Sequence, residues 1–264
     1  MQEFTPTDVA ATLRGAGCVF AEDEARLLLD AAEHDDDLAA MIRDRVSGRP
    51  LEQILGWVEF RGLRIGLMPG VFVPRRRTEF LVNRALAAIS RPDAVVVDLC
   101  CGSGAVGAAI AADTRFPSID LHASDVDPIA VDCARRNVAT GAVHLGDLYD
   151  ALPRTLLGRV DLLVVNAPYV PSDAIATMPP EARLHEPRCA LDGGADGVDV
   201  HRRVAAAAPD WLAPGGHLIV ETSRRQAPLT ADACARAGLA PRVARCDALG
   251  ATVVSAARAD ESSR

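Results

Sequence analysis

From residue 78 onward, short apolar runs alternate with stretches of helical periodicity. The apolar runs are residues 94–99, 119–123, 142–145, 161–165, 217–221 and 251–256, and the helical stretches are 78–90, 105–113, 128–138, 198–212 and 226–237. Strands that alternate with helices predict an α/β fold with a mostly parallel sheet, covered on both faces. In such a sheet, ligands bind beyond the carboxyl ends of the strands. The residues that directly follow each strand are therefore the candidates for a functional site.

The first fifty residues predict a small helical lobe rather than a sheet. Either Thr7 or Asp8 has a side chain that can cap a first helix running to about Ala16. Two further helices are predicted over residues 22–33 and 36–46. Because short helices depend on packing for their stability, we expect these three to form one bundle.

A β-hairpin is predicted between the helical lobe and the α/β part. Two alternating runs, residues 57–61 and 63–67, are separated by a single glycine, as in hairpin strands. The chain is therefore divided into a helical lobe of residues 1–49, a linking hairpin of residues 50–77 and an α/β domain of residues 78–264.

The composition excludes several classes of function. The formal net charge is −8, so a broad cationic surface for nucleic acid is not expected. All 28 basic residues are arginine, which excludes a lysine base, Schiff base or P-loop lysine. The 7 cysteines contain no C-x-x-C pair and the histidines lack ligand spacing, so neither disulfides nor a metal are predicted. The chain shows no signal peptide and no long apolar run, which predicts a cytoplasmic protein.

A glycine-rich turn follows the first strand of the α/β part. The stretch Asp98-Leu99-Cys100-Cys101-Gly102-Ser103-Gly104 joins that buried strand to a helix whose N-terminus offers free N–H groups. Gly102 and Gly104 permit a tight turn and close approach of a ligand. With Gly107 they spell G-x-G-x-x-G, which suits NAD or S-adenosylmethionine (SAM). Asp98 favours SAM, because a carboxylate at a strand end suits the ammonium of an amino-acid-bearing ligand.

Acidic residues also follow the second and third strands. Asp125 is placed to accept hydrogen bonds from both ribose hydroxyls of a bound nucleoside. Asp127 is better suited to cap the helix that Pro128 opens. Asp147 either accepts a hydrogen bond from the exocyclic amine of an adenine or caps a turn.

The fourth strand ends in Asn166-Ala167-Pro168-Tyr169. Pro168 has no N–H group, so a neighbouring carbonyl is free to face a ligand, and the Asn166 side chain supplies a second acceptor. These two oxygens can hold both hydrogens of a planar NH₂ group, on which Tyr169 can stack. They thereby aim the nitrogen lone pair at a methyl donor and stabilise charge that develops on nitrogen. We therefore predict methyl transfer to an amide or amino-heterocycle, with Asn166, Pro168 and Tyr169 as catalytic residues.

Taken together, these motifs resemble the HemK-type protein-(glutamine-N5) methyltransferases. The resemblance covers roughly residues 48–226 and includes segments 48–56, 60–63, 73–79, 186–197 and 212–216. It implies a Rossmann-like, seven-stranded class I methyltransferase sheet with an N-terminal helical lobe that recognises the substrate. The implied partner is a release factor or ribosomal protein, with no membrane involved, and we expect a monomer.

The resemblance also implies roles for particular residues. Cys100–Gly104, Asp125, Leu148 and Asn166 line the SAM site in the family pattern, and Asn166–Tyr169 holds the substrate glutamine. With Asp98 and Asp147 from the residue argument, they form the predicted cofactor-binding and substrate-binding set.

The sequence departs from the family pattern at several positions. Ala167 and Cys100 stand where the family usually has proline and glycine, and Arg76 and Arg77 replace a proline–acidic pair. The stretch 221–223 also differs from the usual Glu-Ile-Gly. The basic run 75–77 is either a solvated face or a contact for a protein or RNA surface.

Three other functions are compatible with parts of the pattern. A non-catalytic SAM-binding or ribosome-associated module is one, although the intact Asn166 and Tyr169 argue against it. An amino-group methyltransferase acting on a base of rRNA or DNA would use the same Asn-x-Pro-aromatic motif. An NAD-dependent oxidoreductase would use the glycine turn but leaves Asp98 and Asn166 unexplained.

Overall fold

The computed structural model describes residues 4–259. Its helices and strands, in chain order, are α1 Pro6–Gly15, α2 Ala21–Ala31, α3 Asp35–Val46, α4 Leu51–Leu55, β1 Trp57–Phe60, β2 Leu63–Gly66, α5 Glu79–Ala88, β3 Val95–Leu99, α6 Ala105–Ala111, β4 Asp120–Asp125, α7 Pro128–Asn137, β5 Ala142–Leu145, β6 Val160–Val165, α8 Pro180–His185, α9 Asp199–Trp211, β7 Leu212–Thr222, α10 Ala227–Arg236, β8 Ala240–Cys246 and β9 Ala251–Ala257. Short 3₁₀ turns occupy several of the connections.

A sheet of seven strands, in the order β5-β4-β3-β6-β7-β9-β8, forms the main body. Strands β3 to β7 pair in parallel, whereas β9 runs antiparallel to both of its neighbours. This confirms the predicted α/β class and the seven-stranded sheet. The chain first builds outward from β3 through β4 to β5 and then returns to place β6 on the other side of β3. A crevice for ligands forms at such a reversal of strand order.

The core consists of two apolar layers, one on each face of the sheet. Val97 and Leu163 face the layer that contains residues of α9 and α10. Val96 and Leu162 face the layer that contains residues of α5 and α6. Neighbouring strand residues point to opposite faces, so both layers bury part of every central strand. Burial of each such valine or leucine contributes about 1.5–3 kcal/mol, which makes the central strands a rigid base for the loops at their ends.

The N-terminal helices α1 to α3 bury their own apolar cluster, which includes Leu13, Leu28 and Ile42. Thr5 caps α1, since its Oγ1 accepts a hydrogen bond from the Asp8 backbone N–H at 3.2 Å. The predicted caps, Thr7 and Asp8, were therefore wrong. Both residues lie inside the helix, because the helix begins earlier in the chain than predicted, with proline at its first position.

The predicted hairpin is present as the antiparallel pair β1 and β2, with Trp57 opposite Gly66. It leads into a loop, residues 67–78, that reaches the carboxyl edge of the main sheet. The division of the chain into a lobe of residues 1–49, a hairpin of residues 50–77 and a domain of residues 78–264 stays a prediction.

Three elements were not predicted: α4, α8 and the edge strand β8. Strand β8 is largely exposed and contains Pro241 and two arginines, so it lacks the apolar run by which the inner strands were found. Proline and charged residues are typical of edge strands, where they oppose pairing with another chain.

Within residues 4–259, no helix is long and apolar enough to cross a membrane. The same part of the chain contains no cluster of three or more His, Cys, Asp or Glu side chains that can hold a metal ion.

Candidate active site

A cavity of about 390 Å³ opens where the carboxyl ends of the central strands meet the loop before α5. All but one of the predicted site residues line it: Asp98, Cys100, Cys101, Gly102, Ser103, Asp125, Asp147, Leu148, Asn166, Ala167, Pro168 and Tyr169. Gly104 is the exception. Its φ is +77°, and a Cβ there would lie 3.0 Å from Ala134 and Val138, so its lack of a side chain lets α7 pack beneath the turn.

The glycine-rich turn is held in an unusual backbone conformation. Cys100 has a φ of +58° and Gly102 a φ of +55°. The left-handed region costs a residue with a side chain about 1–2 kcal/mol, whereas glycine adopts it freely. Cys100 therefore occupies a position where glycine would be unstrained. Cysteine at this position keeps the left-handed backbone of the turn, and Cys100 lines the wall of the cavity.

Asp98 is a buried carboxylate at the end of β3, with 1% of its surface exposed. Its Oδ2 accepts a hydrogen bond from the Gly107 N–H at 2.8 Å. Burial raises the pKa of Asp98 to about 7, and the nearby carboxylate of Asp125 adds to the rise. A cation placed beside Asp98 would favour its ionised form, so this position fits an ammonium group.

Asp125 at the end of β4 fixes the glycine turn to the next strand. Its Oδ2 accepts a hydrogen bond from the Gly102 N–H at 2.8 Å, and its Oδ1 accepts one from the Asp127 N–H at 3.0 Å. Each carboxylate oxygen retains a further acceptor site, so the pair of oxygens also suits a ribose diol. Asp127 caps α7 by accepting a hydrogen bond from the Ile129 N–H, which confirms its predicted role.

Asp147 and Leu148 follow β5 on the far side of the cavity. The Asp147 side chain does not cap the turn after it but pairs with Arg203, whose Nη2 donates to Oδ2 at 2.7 Å. About half of each side chain is exposed. Leu148 has a φ of +50° and presents an apolar surface in the cavity wall.

Asn166 and Tyr169 lie at the opposite side, after β6. Asn166 Nδ2 is 3.5 Å from Thr78 Oγ1, and an amide that donates through its nitrogen presents its oxygen as the acceptor. The Tyr169 hydroxyl donates to Glu221 Oε1 at 3.3 Å. Burial raises the pKa of Tyr169 to about 12, so the phenol stays protonated.

The basic run before α5 is divided between solvent and the cavity. Arg75 pairs with the buried carboxylate of Glu186 at 2.5 Å, and Arg77 pairs with Glu221 at 3.4 Å. Arg76, between them, is exposed. A solvated face thus describes Arg76, whereas Arg75 and Arg77 lie opposite buried carboxylates; contact of the run with a protein or RNA surface stays a prediction.

The sequence reasoning missed side chains that line the cavity, such as Thr78 and Arg203, and two, Glu221 and Gln226, that hydrogen-bond with Tyr169. Thr78 falls in a segment that carries the family resemblance and Glu221 in a stretch that departs from it, and nothing in the sequence places the two together. Outside the cavity, His144 Nε2 lies 3.0 Å from His122 Nδ1 on the neighbouring strand.

Comparison with known proteins identifies the family. Residues 63–194 match the family described as Methyltransferase small domain. A release factor glutamine methyltransferase of Geobacter sulfurreducens is 37% identical over 205 residues, covering 75% of this chain and 70% of the relative. The enzyme of that name from Deinococcus radiodurans is 34% identical over 251 residues, covering 88% of this chain and 89% of the relative.

Solved structures show the same fold. A methyltransferase from Pyrococcus furiosus superimposes with a TM-score of 0.57 at 17% identity, covering 76% of this chain and 91% of its own. A ribosomal protein L11 methylase from Lactobacillus delbrueckii gives a TM-score of 0.53 at 16% identity, covering 74% and 85%. The fold and the matched domain thus define a class I methyltransferase that uses SAM as methyl donor. Within that class, the chain belongs to the release factor glutamine methyltransferase family.

The residues of the cavity fit SAM by their chemistry. A buried carboxylate with a raised pKa, Asp98, suits the ammonium of the methionine part, and Asp125 suits the ribose hydroxyls. Gly102 leaves open space above the turn, where an added Cβ would meet nothing within 4 Å. When bound, SAM supplies a methyl group on a positively charged sulfur.

Proposed function

We propose that this protein transfers a methyl group from SAM to the side-chain amide nitrogen (N5) of a glutamine in a peptide chain release factor. The observation that carries the proposal is that Asn166–Tyr169 and the carboxylates Asp98 and Asp125 line one cavity at the reversal of strand order. Membership of the release factor glutamine methyltransferase family supports this choice of substrate. We also infer that the protein acts as a monomer in the cytoplasm, where bacterial release factors work.

The acceptor side holds the substrate amide through two oxygens. Asn166 Oδ1 is free to accept one N–H because Asn166 points its amide nitrogen toward Thr78. The main-chain carbonyl of Ala167 accepts the other. Because this second acceptor belongs to the backbone, alanine in place of the usual proline keeps it. Pro168 fixes the chain beyond it, and Tyr169 stacks on the plane of the amide.

Methyl transfer then needs little beyond positioning and electrostatics. With SAM bound, its sulfur would keep the electron pair of the broken carbon–sulfur bond, and the methyl group would form a new bond to the amide nitrogen that Asn166 and Ala167 hold. The nitrogen loses one of its two protons to solvent. By holding both hydrogens, the two oxygens aim the nitrogen at the methyl group and stabilise the positive charge that grows on nitrogen.

The cofactor side positions the methyl donor. In our proposal Asp98 binds the ammonium group, Asp125 binds the ribose hydroxyls, and the turn Cys100–Gly104 lies against the methionine chain. Leu148 contacts the adenine, and Asp147 accepts from its amine while it is also paired with Arg203.

The test is to incubate the protein with isotopically labelled SAM and the release factors, ribosomal proteins and ribosomal RNA of the same organism. Peptide mapping by mass spectrometry should find one labelled methyl group on a release-factor glutamine. The matched controls are a release factor with that glutamine changed to asparagine and the enzyme with Asn166→Ala. Label on a ribosomal protein or on an RNA base, with none on a release factor, would contradict the proposed substrate.

A further inference from the structure

A buried carboxylate lies behind Tyr169, at the end of β7. The Glu221 side chain is 2% exposed, and its Oε1 accepts hydrogen bonds from the Tyr169 hydroxyl at 3.3 Å and from Arg77 Nε at 3.4 Å. Its other oxygen, Oε2, is buried without a partner in the described part of the chain. Through this one oxygen atom, Glu221 connects the side chains of Tyr169 and Arg77, which come from distant parts of the sequence.

From this arrangement we propose that Arg77 and Glu221 are positioning residues for methyl transfer. They hold the ring of Tyr169 in the orientation that stacks on the substrate amide. The inference rests on the proposed function, since it assigns the pair to the acceptor side of the same site.

The electrostatics of the three groups support this role. Burial raises the pKa of Glu221, whereas the charge of Arg77 lowers it. Only the ionised carboxylate accepts both hydrogen bonds with full strength. The Arg77 guanidinium, which is 44% exposed, supplies a positive charge beside the buried carboxylate. His201 faces the Tyr169 ring from α9 at 6.3 Å, and burial lowers the pKa of His201 to about 4, so it stays neutral.

The backbone around Tyr169 is fixed independently of this pair. The Tyr169 carbonyl accepts a hydrogen bond from Gln226 Nε2 at 2.6 Å. The next residue, Val170, forms backbone hydrogen bonds with Leu191 and Gly193. The backbone of Glu221 is paired with β9. Loss of the Arg77–Glu221–Tyr169 hydrogen bonds should therefore free the phenol ring without unfolding the loop, so their effect belongs to catalysis rather than to folding.

The experiment is a double-mutant cycle with Glu221→Gln and Tyr169→Phe, assayed on a release factor. Each single variant should lower kcat about tenfold, because one charge-assisted hydrogen bond is lost. The KM for the release factor and the Kd for SAM should change less than about twofold, since the cofactor carboxylates are untouched. The double variant should be no slower than the slower single variant, because both substitutions act on the same hydrogen bond: Tyr169→Phe removes its donor, and Glu221→Gln removes the charge of its acceptor.

Arg77 is tested by Arg77→Met, which should match Glu221→Gln, and by Arg77→Lys, which keeps the charge and should recover most of kcat. Arg76→Met, an exposed neighbour, is the matched control and should leave kcat unchanged. An unchanged kcat in Glu221→Gln overturns the inference, as does full additivity in the double variant or an equal loss of SAM binding. A wild-type protein that leaves release factors unmethylated contradicts the proposed function itself, before any variant is compared.

Discussion

The two sides of the cavity are built by different means. On the cofactor side, backbone N–H groups hold the carboxylates: Gly107 holds Asp98, and Gly102 holds Asp125. On the acceptor side, side chains hold side chains, as Glu221 does for Tyr169. The first set is formed by the ends of neighbouring strands and the turn between them. The second is assembled from segments far apart in the sequence.

This difference teaches that one site can combine a rigid half and an adjustable half. A carboxylate that is fixed by backbone N–H groups keeps its place as long as the turn is folded. A ring or amide that is fixed by other side chains can be loosened by a single distant substitution. We therefore expect variants of the two halves to separate cofactor binding from methyl transfer.

The largest effect should come from Asn166→Ala. Loss of an acceptor that stabilises developing charge should lower kcat by about 100-fold or more. The Kd for SAM, measured by calorimetry, should stay within about twofold if the halves are separable. Asn83→Ala, which removes an exposed asparagine that contacts Arg61, is the matched control. A parallel loss of SAM binding in Asn166→Ala would mean that the two halves are one unit.

An intermediate effect is expected for Asp98→Asn, with a characteristic dependence on pH. Under the proposed assignment, the ionised carboxylate would bind the ammonium group at pH 8, so the substitution should weaken SAM binding about tenfold. Wild-type affinity should rise as the pH rises through about 7, the pKa of Asp98, and the variant should lack that rise. Calorimetry from pH 5.5 to about 8.5 measures both, and a parallel rise in the variant would assign the titration to another group.

The same substitution should act on stability in the opposite direction. The pKa of Asp98 is raised by burial from 3.8 to about 7, so the folded state holds this proton more tightly than the unfolded state. The protonated Asp98 carboxyl therefore contributes fully to the free energy of unfolding below about pH 4, and this contribution is lost as the pH rises through 7. Without SAM, Asp98→Asn should therefore gain unfolding free energy relative to the wild type between pH 5 and about pH 8 in urea titrations. A constant difference across that range would contradict the assignment.

The smallest effect should come from Asp147→Asn, which tests the comparison inside the cofactor half. Asp147 is half exposed and held by Arg203 rather than by the backbone. Exposed ion pairs contribute about 0–1 kcal/mol, so the Kd for SAM should rise by less than about fivefold. Arg203→Ala should have a similarly small effect. If Asp147→Asn weakened SAM binding as much as Asp98→Asn does, a hydrogen bond from the backbone would not be what makes a carboxylate important for SAM binding.

Much of the fold and of the cofactor side could be predicted from the sequence. Inner parallel strands are continuous apolar runs, so β3 and β6 marked both the sheet and the positions of Asp98 and Asn166 at their ends. The exposed strand β8 lacks this signal and was missed. An inner strand that is recognised in the sequence also identifies only the residues that directly follow it as site candidates. Predictions of this kind therefore cannot reach contacts between distant segments.

The side chains that support the acceptor half could not be predicted in the same way. Arg77, Tyr169 and Glu221 meet because β6 and β7 are neighbours and the loop before α5 crosses their ends. No spacing of residues in the sequence predicts that these three side chains are in contact. The basic run was noticed, but its separation from Glu221 by more than half of the chain hides the ion pair from any local pattern.

The segment after Tyr169 leaves the sheet and returns to nearly the same point, where Val170 and Asp192 form a parallel bridge. Ser172 and Gly194 are hydrogen-bonded through their backbones next to that bridge. A loop whose ends are tied together can change in length at little cost to the rest of the molecule. In this protein, however, the intervening residues, which include α8, are also held to the site: the buried carboxylate of Glu186 pairs with Arg75, and Met178 and Leu191 line the cavity. A change in this segment would therefore alter the lining of the cavity itself.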